Sequence, residues 1–438
     1  MIKKILAALL IASSFQLLAQ NKADDVKTFT LNNGMKFLVL EDASIPNANM
    51  YSFYKVGSRN EHPGITGLSH FFEHMMFNGA KKYGPKMFDR TMEFNGGSNN
   101  AYTTENLTVY TDWFPASALE TMFDLESDRI ANLSIDPKYV TSEREVVLSE
   151  RRTGLENSPW RMLGEQVNAV AFLEHPYHWS VIGYEEDIKN WTKEDLENYY
   201  KTYYAPNNCT VVISGNVKLK DVKRLADKYM AKIPAQPSPP AVHLVEPPQT
   251  GERRITVQKA VSAPYMMVAY HVPETKSKDY YALNLLSAIL TNGKTSRLYQ
   301  ALVDEKQLAT NVFSDYEDGF DPTLFKIYLS VSASKSTESV ESTLYSQIDK
   351  IAKEGISDLE LQKAKNQLLM RFYDAIATID GKSNSLGTYE MFFNDYKKMF
   401  KAPEAYALVS KEDIKRVAQT YFKKSNRTVG VLKSDVEN

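Results

Sequence analysis

The residues whose spacing carries the most chemistry are His70, Glu73 and His74, within the run Gly67-LSHFFEHMMFN-Gly79. At 3.6 residues per turn, positions 70, 73 and 74 fall on one helical face. Imidazoles at i and i+4 can reach one ion at the roughly 2 Å zinc–nitrogen distance. Glu73 is then left to act on a water rather than on the ion. Leu68, Phe71, Phe72, Met75, Met76 and Phe77 make this segment apolar on every side, so it is expected to be buried. Ionisable groups on a buried helix need partners, and a metal supplies them. With seven histidines in the chain, a chance H-x-x-E-H is on the order of one in a hundred. Two core histidines bonded to carbonyls would leave Glu73 without a role.

A catalytic zinc site takes three protein ligands, so a third must lie elsewhere. The segment Asp136-PKYVTSEREVVLSERR reads as a helix capped by Asp136, with Pro137 at its first position. Glu143 and Glu150, seven apart, share a face with Val146 and Val147, which are expected to point inward. Glu145, Arg151 and Arg152 are expected on a charged surface. After Gly96-Gly97, the β-prone run 99–104 suits an exposed strand edge, where a peptide can add as an extra strand. His175 and His178 are expected in a loop, because His-Pro interrupts any helix that would align them. Cys209 is the only cysteine, which excludes internal disulfides and Cys-rich metal sites, and no G-x-S-x-G elbow is present.

These residues need a scaffold, and composition bounds it. A chain of 438 residues, 43% hydrophobic and 24% charged, is too apolar for disorder and too long for one ordinary domain. Lys plus Arg at 52 against Asp plus Glu at 54 leaves no basic excess for nucleic acid. Residues 1–20, MIKKILAALLIASSFQLLAQ, have a basic start, a short apolar run and small residues before Gln20. They read as a cleaved export signal. No cysteine follows for a lipid anchor, and no later stretch is apolar over the ~18 residues of a membrane span. The expectation is an exported protein of a Gram-negative periplasm.

Six prolines between 234 and 248 mark 234–250 as an extended linker, separating 21–233 from 251–438. In the first half, 27–41 is a hairpin about Asn33-Gly34, followed by a strand at 48–56. Helices are expected near 68–77, 116–131, 137–153 and 193–203, then a strand at 209–214 and a helix at 219–230. The second half repeats the grammar, with strands at 265–271, 324–332 and 428–432. Its helices are expected at 280–290, 296–305, 336–354, 357–379 and 411–421. This argues an α+β pair of related domains.

The inverted motif resembles that of the inverzincins, the insulysin, pitrilysin and mitochondrial processing peptidase family. There the third ligand is a glutamate about 76 positions beyond the second histidine, and here Glu150 stands at that distance from His74. The runs Gly96-GSNNAYTTENLTVY, Gly183-YEEDI and Tyr199-YKTYYAPNNCTVVISG are similar too, so the resemblance covers 27–435. It implies one zinc per chain on His70, His74 and Glu150, with Glu73 as the catalytic base and Glu143 supporting the site. Substrate would lie along Asn99, Asn100, Ala101, Tyr102 and Thr103. The implied architecture is a processing-peptidase-like metallohydrolase fold forming half of a clam-shell, with a catalytic domain at 21–233 and a degenerate, non-catalytic repeat at 251–438. The implied activity is a zinc metalloendopeptidase hydrolysing unfolded peptides or small protein segments.

One departure qualifies this. Family members that work as one long chain carry Arg and Tyr, seven apart, in the second half, holding the substrate's main chain. Val303 and Thr310 stand there instead, and Arg297 comes one helical stretch too early. The missing contacts are therefore expected from another subunit, a homologous non-catalytic partner in a heterodimer or a second copy in a homodimer. The family also holds non-catalytic structural subunits of peptidase-like complexes. Those have generally lost zinc ligands, whereas all four key residues stand here.

Overall fold

The Asn33-Gly34 turn closes the expected hairpin, in which β1 (Val26–Thr30) and β2 (Lys36–Glu41) pair antiparallel. The computed structural model describes residues 22–434, so the predicted export signal at 1–20 lies outside the described residues. With β3 (Asn47–Tyr54), β4 (Ser98–Thr103), β5 (Thr108–Pro115) and β6 (Cys209–Gly215), the hairpin builds a six-stranded sheet of order β1-β2-β6-β3-β5-β4. The continuous apolar run of β6 fits its place, parallel to β2, antiparallel to β3 and buried throughout.

The second sheet contains β7 (Arg253–Gln258), β8 (Tyr265–Val272), β9 (Ala309–Tyr316), β10 (Thr323–Val331) and β11 (Arg427–Lys433), in order β7-β11-β8-β10-β9. That is the plan β2-β6-β3-β5-β4 over again. In both, the last strand enters between the first two, parallel to one and antiparallel to the other. The fold is α+β and internally repeated. Residues 234–250 have no regular secondary structure, as proline at that density requires.

Four helices matter to the site and its support: α1 (Leu68–Met75), α2 (Pro137–Asn157), α3 (Pro159–Ala171) and α4 (Ile379–Phe393). On one face of the first sheet, α1 and helices Leu119–Asn132, Lys193–Tyr203 and Leu219–Tyr229 enclose a core that includes Phe37, Phe71, Phe72 and Phe123. The opposite face is covered by α4, which comes from the second half, with Leu386 and Phe392 packing on Leu38, Phe53 and Val212. Reciprocally α3, from the first half, lies on the second sheet, with Leu163 and Val167 against Met267, Ala269 and Leu432. Both contacts use a glycine for close approach. A Cβ at Gly387 would come 2.0 Å from the Phe53 ring, and one at Gly430 would come 2.4 Å from Val167. Arg59 adds an ion pair across the halves, its Nε donating to Asp321 at 2.8 Å.

Several local expectations are corrected. Val147 is buried but Val146 is 48% exposed, since adjacent helical positions point about 100° apart. Arg151 is buried rather than at the surface, because its guanidinium makes a two-pronged contact with Glu165 of α3 at 2.8 and 2.9 Å. The helix expected over 357–379 ends at Ala375, and α4 begins anew at Ile379 with Thr378 as its cap. The helix expected at 296–305 is one turn (Arg297–Tyr299) running into a π-helix, Gln300–Glu305. His175 caps the short turn Pro176–His178 and His178 ends it, as the loop expectation has it. His175 is buried, with Nε2 3.2 Å from Asp321.

Candidate active site

Helix α1 begins where the chain must turn sharply. Gly67 has φ +89°, and a Cβ there would sit 2.5 Å from the Ile182 carbonyl oxygen. The carboxylate of Glu61 accepts hydrogen bonds from the N–H groups of Gly67 (2.7 Å) and Ser69 (2.8 Å), satisfying donors that a helix N-terminus leaves open. Burial pushes the Glu61 carboxyl up to about 8. Tyr110 donates to the Phe72 carbonyl at 3.1 Å, and the Ser69 and Tyr199 hydroxyls meet at 2.6 Å. The motif helix is thus pinned at its start and along its buried side. Sequence reasoning did not single out Glu61. The only available signal was an acidic residue close before an uncapped helix start.

The side chains of His70, His74 and Glu150 converge, with ligand atoms all within 4.8 Å of one another. Glu150 Oε2 lies 3.7 Å from His70 Nε2 and 3.6 Å from His74 Nε2. Those separations are too long for hydrogen bonds. They approach the edge of a tetrahedron with bonds of about 2.1 Å, roughly 3.4 Å. The three residues therefore fit a zinc ion. Asp136 caps α2 by accepting from the Lys138 N–H at 2.8 Å, fixing the register that brings Glu143 and Glu150 to this face.

Glu143 touches the second nitrogen of His74, with Oε1 2.7 Å from Nδ1, and its Oε2 accepts from Asn78 Nδ2 at 2.7 Å. It orients an imidazole rather than joining the cluster. The bond to His74 holds the Glu143 carboxyl low, and His74 does the same for Glu150. Burial, and then the charge of His74, pushes His70 down, whereas Glu143 and Glu150 raise His74 against the effect of burial. Two carboxylates and two imidazoles facing one point favour a cation among them. Partners of this kind are typically worth ~10–100-fold in metal affinity or activity. Glu143→Ala is therefore expected to weaken zinc binding by about that factor, read by titration against a competing chelator. Unchanged affinity and unchanged turnover would mean that the Glu143 contact to His74 contributes nothing to metal binding or catalysis.

Glu73 stands outside the cluster. Its Oε2 accepts from the Thr103 hydroxyl at 2.5 Å, and burial raises its carboxyl above the ordinary range. Thr103 ends β4, the edge strand of the first sheet, with β5 its sole partner among the described residues. Asn99 Nδ2 donates to Asp89 at 3.1 Å, and the Tyr102 hydroxyl donates to Asn384 of α4 at 2.9 Å. The Asn100 carbonyl accepts from the Thr111 hydroxyl at 3.1 Å, and Ala101 is half-buried. The five edge residues lie together, and one of them holds Glu73. In the second sheet, β9 occupies the place of β4 and carries Thr310, while Val303 packs against the second core. Arg297 is engaged with Glu360, its Nε donating at 2.5 Å, so it offers no free guanidinium.

The description Insulinase (Peptidase family M16) matches residues 37–184, and Peptidase M16 inactive domain matches 190–368. The zinc protease PqqE of Helicobacter pylori is 30% identical over 438 residues, covering 98% of this chain and 97% of that protein. The chain belongs to peptidase family M16. Another relative of this M16 chain, a probable mitochondrial-processing peptidase subunit beta of Arabidopsis thaliana, is 25% identical over 91% of this chain and 77% of its own. A crystal structure of a protease from Helicobacter pylori superposes with TM-score 0.89 at 30% identity, covering 93% of this M16 chain and 99% of that one. The first half of the periplasmic protease PqqL from Escherichia coli shares the fold at TM-score 0.77 and 18% identity, covering 95% of this chain and 93% of that one. Against the whole of that protease, this M16 chain spans 48% of the length. No helix of the described residues is long and apolar enough to cross a membrane.

Proposed function

We propose that this M16 chain is an exported zinc metalloendopeptidase acting on unfolded peptides or small protein segments, with 21–233 as its catalytic domain and 251–438 as a non-catalytic repeat. The observation that carries the reading is the convergence of His70, His74 and Glu150 beside a Glu73 tied to an open sheet edge. His70, His74 and Glu150 would hold one zinc. When bound, that ion supplies Lewis acidity, polarising a carbonyl and acidifying a water toward pKa ~7. Glu73 takes a proton at its carboxylate and returns it to the departing amine. Asn99, Asn100, Ala101, Tyr102 and Thr103 align the substrate main chain as an added strand, and Glu143 keeps the His74 ring in place. The export signal at 1–20 directs the chain to a periplasm.

Val303 and Thr310 leave the far side of the substrate without main-chain anchors, so we assign those to a partner, a homologous chain lacking the zinc motif or a second copy. The test is to co-purify tagged chain from its host and measure zinc content and cleavage of one unstructured peptide, alone and with the partner. Zinc near one per chain, chelator-sensitive cleavage and a gain in kcat/KM on adding the partner are expected, because orientation is a large part of a hydrolase's rate. Full zinc loading without cleavage under either condition would overturn the peptidase reading. Full activity from a monodisperse monomer would overturn the partner.

A further inference from the structure

An open groove of about 940 Å³ runs along the outer side of α2, with Ser149, Glu150, Thr153, Asn157 and Arg161 among its lining residues. Glu150 is one of the converging metal-site residues, so the groove leads away from the cluster on the α2 side, whereas β4 approaches it on the Glu73 side. Ser149, Thr153 and Asn157 recur every four residues and give this wall a polar stripe. The guanidinium of Arg161 lies over Gly154, where a Cβ would stand 2.7 Å from Nη1. Its charge reaches both His70 and Glu150.

Every neighbouring arginine on α2 is engaged. Arg151 is held by Glu165, Arg152 by Glu185, and Arg144 by the carbonyls of Lys189 and Trp191. Arg161 is exposed, and its guanidinium has no hydrogen-bond or ion-pair partner among the described residues. Its backbone is nevertheless fixed. Ser158 caps α3 by accepting from the Arg161 N–H at 3.2 Å, and Trp160 packs edge-on against Tyr265, Phe313 and Tyr328 of the second sheet. A free guanidinium on a rigid backbone, in a groove opening from a hydrolytic centre, is preorganised for a planar anion.

We propose that Arg161 is a specificity-determining residue, binding a carboxylate of the peptide on the side of the scissile bond away from β4. This rests on the peptidase reading for what occupies the groove. Gly154 lies one turn beyond Glu150, about 6 Å along the axis. That is the rise of roughly two extended residues, which places the carboxylate one to three residues from the scissile bond. Two sources share this chemistry, an acidic side chain or the substrate's own C-terminus.

The test uses full-length, zinc-loaded chain carrying Glu73→Gln and reads peptide Kd by fluorescence anisotropy, with hydrolysis by the Glu73-intact chain measured in parallel. One peptide series carries Glu, Gln or Lys at each of the three positions, and a second ends there as free acid or amide. Tighter binding of the carboxylate form by roughly tenfold is expected in one series, in line with a charge-assisted hydrogen bond. A preference in the first series identifies a side chain, and one in the second identifies the terminus. Adding Arg161→Gln should erase the preference, Arg161→Lys should keep part of it, and Arg161→Glu should turn it toward Lys over Gln. Equal binding throughout both series, or a preference that survives Arg161→Gln, would overturn the assignment. Hydrolysis without discrimination sinks this inference alone. Arg161-dependent discrimination without hydrolysis supports it and sinks the peptidase reading instead.

Discussion

Glu73→Gln is expected to take up zinc as the native chain does and to lose about 10²–10⁴ in kcat, the range a positioned general base supplies. The amide has the shape of the carboxylate, and its oxygen can still accept the Thr103 hydroxyl that Glu73 Oε2 accepts at 2.5 Å. Packing around α1 should therefore be unchanged, and a melting curve should show it. The amide cannot carry a proton at neutral pH, so the step that needs one stops. Burial already raises the Glu73 carboxyl, moving it toward the pH at which a base is most effective. Metal analysis separates the outcomes. Native zinc with near-native turnover would mean that Glu73 is not the base, and lost zinc would mean that it serves as a ligand.

The second large effect is expected of the double substitution His70→Ala, His74→Ala, which should leave no measurable zinc. Glu150, its side chain 40% exposed, would be the only member of the cluster remaining, and one carboxylate does not hold zinc against solvent. Native chain should melt higher as zinc is added, since a ligand at a thousand times its Kd stabilises the folded state by about 4 kcal/mol. The double mutant should show no such rise. It should still fold, because the packing of α1 rests on Leu68, Phe71, Phe72 and Met75, which face away from the imidazoles. A full complement of zinc in the folded double mutant would falsify the assignment of the site.

What could be read from the sequence follows the range of each interaction. His70, Glu73 and His74 sit within a turn and a quarter of one helix, so periodicity alone brought them together. Glu143 and Glu150 were narrowed by the same period to one face of α2, but only the family spacing chose Glu150 as a ligand. Glu61 stayed hidden because its carboxylate reaches forward to Gly67 and Ser69 after the chain doubles back, which no helical period encodes. Arg151 was misplaced for a related reason. Its partner Glu165 lies on α3, a helix the hydrophobic pattern did not announce. β4, β7 and β9 are edge strands rich in exposed residues, and of these only β4 was expected. Its β-prone run and two leading glycines marked it, whereas β7 follows the prolines directly and β9 is nearly half polar.

The crossing of α3 and α4 bears on how this molecule can be taken apart. Each half has lent a helix to the other's sheet, and Gly387 and Gly430 bring the borrowed helix so close that no solvent layer intervenes. A cut in the proline-rich segment would therefore not release two autonomous modules. The fragment before it would strand Leu163 and Val167 in water and bare the underside of its own sheet at Phe53 and Val212. Supplied together, the two fragments should find one another and reassemble, as split reporters do. The proline segment is then a tether of convenience, a site where evolution could insert sequence or engineers could open the chain without parting the halves.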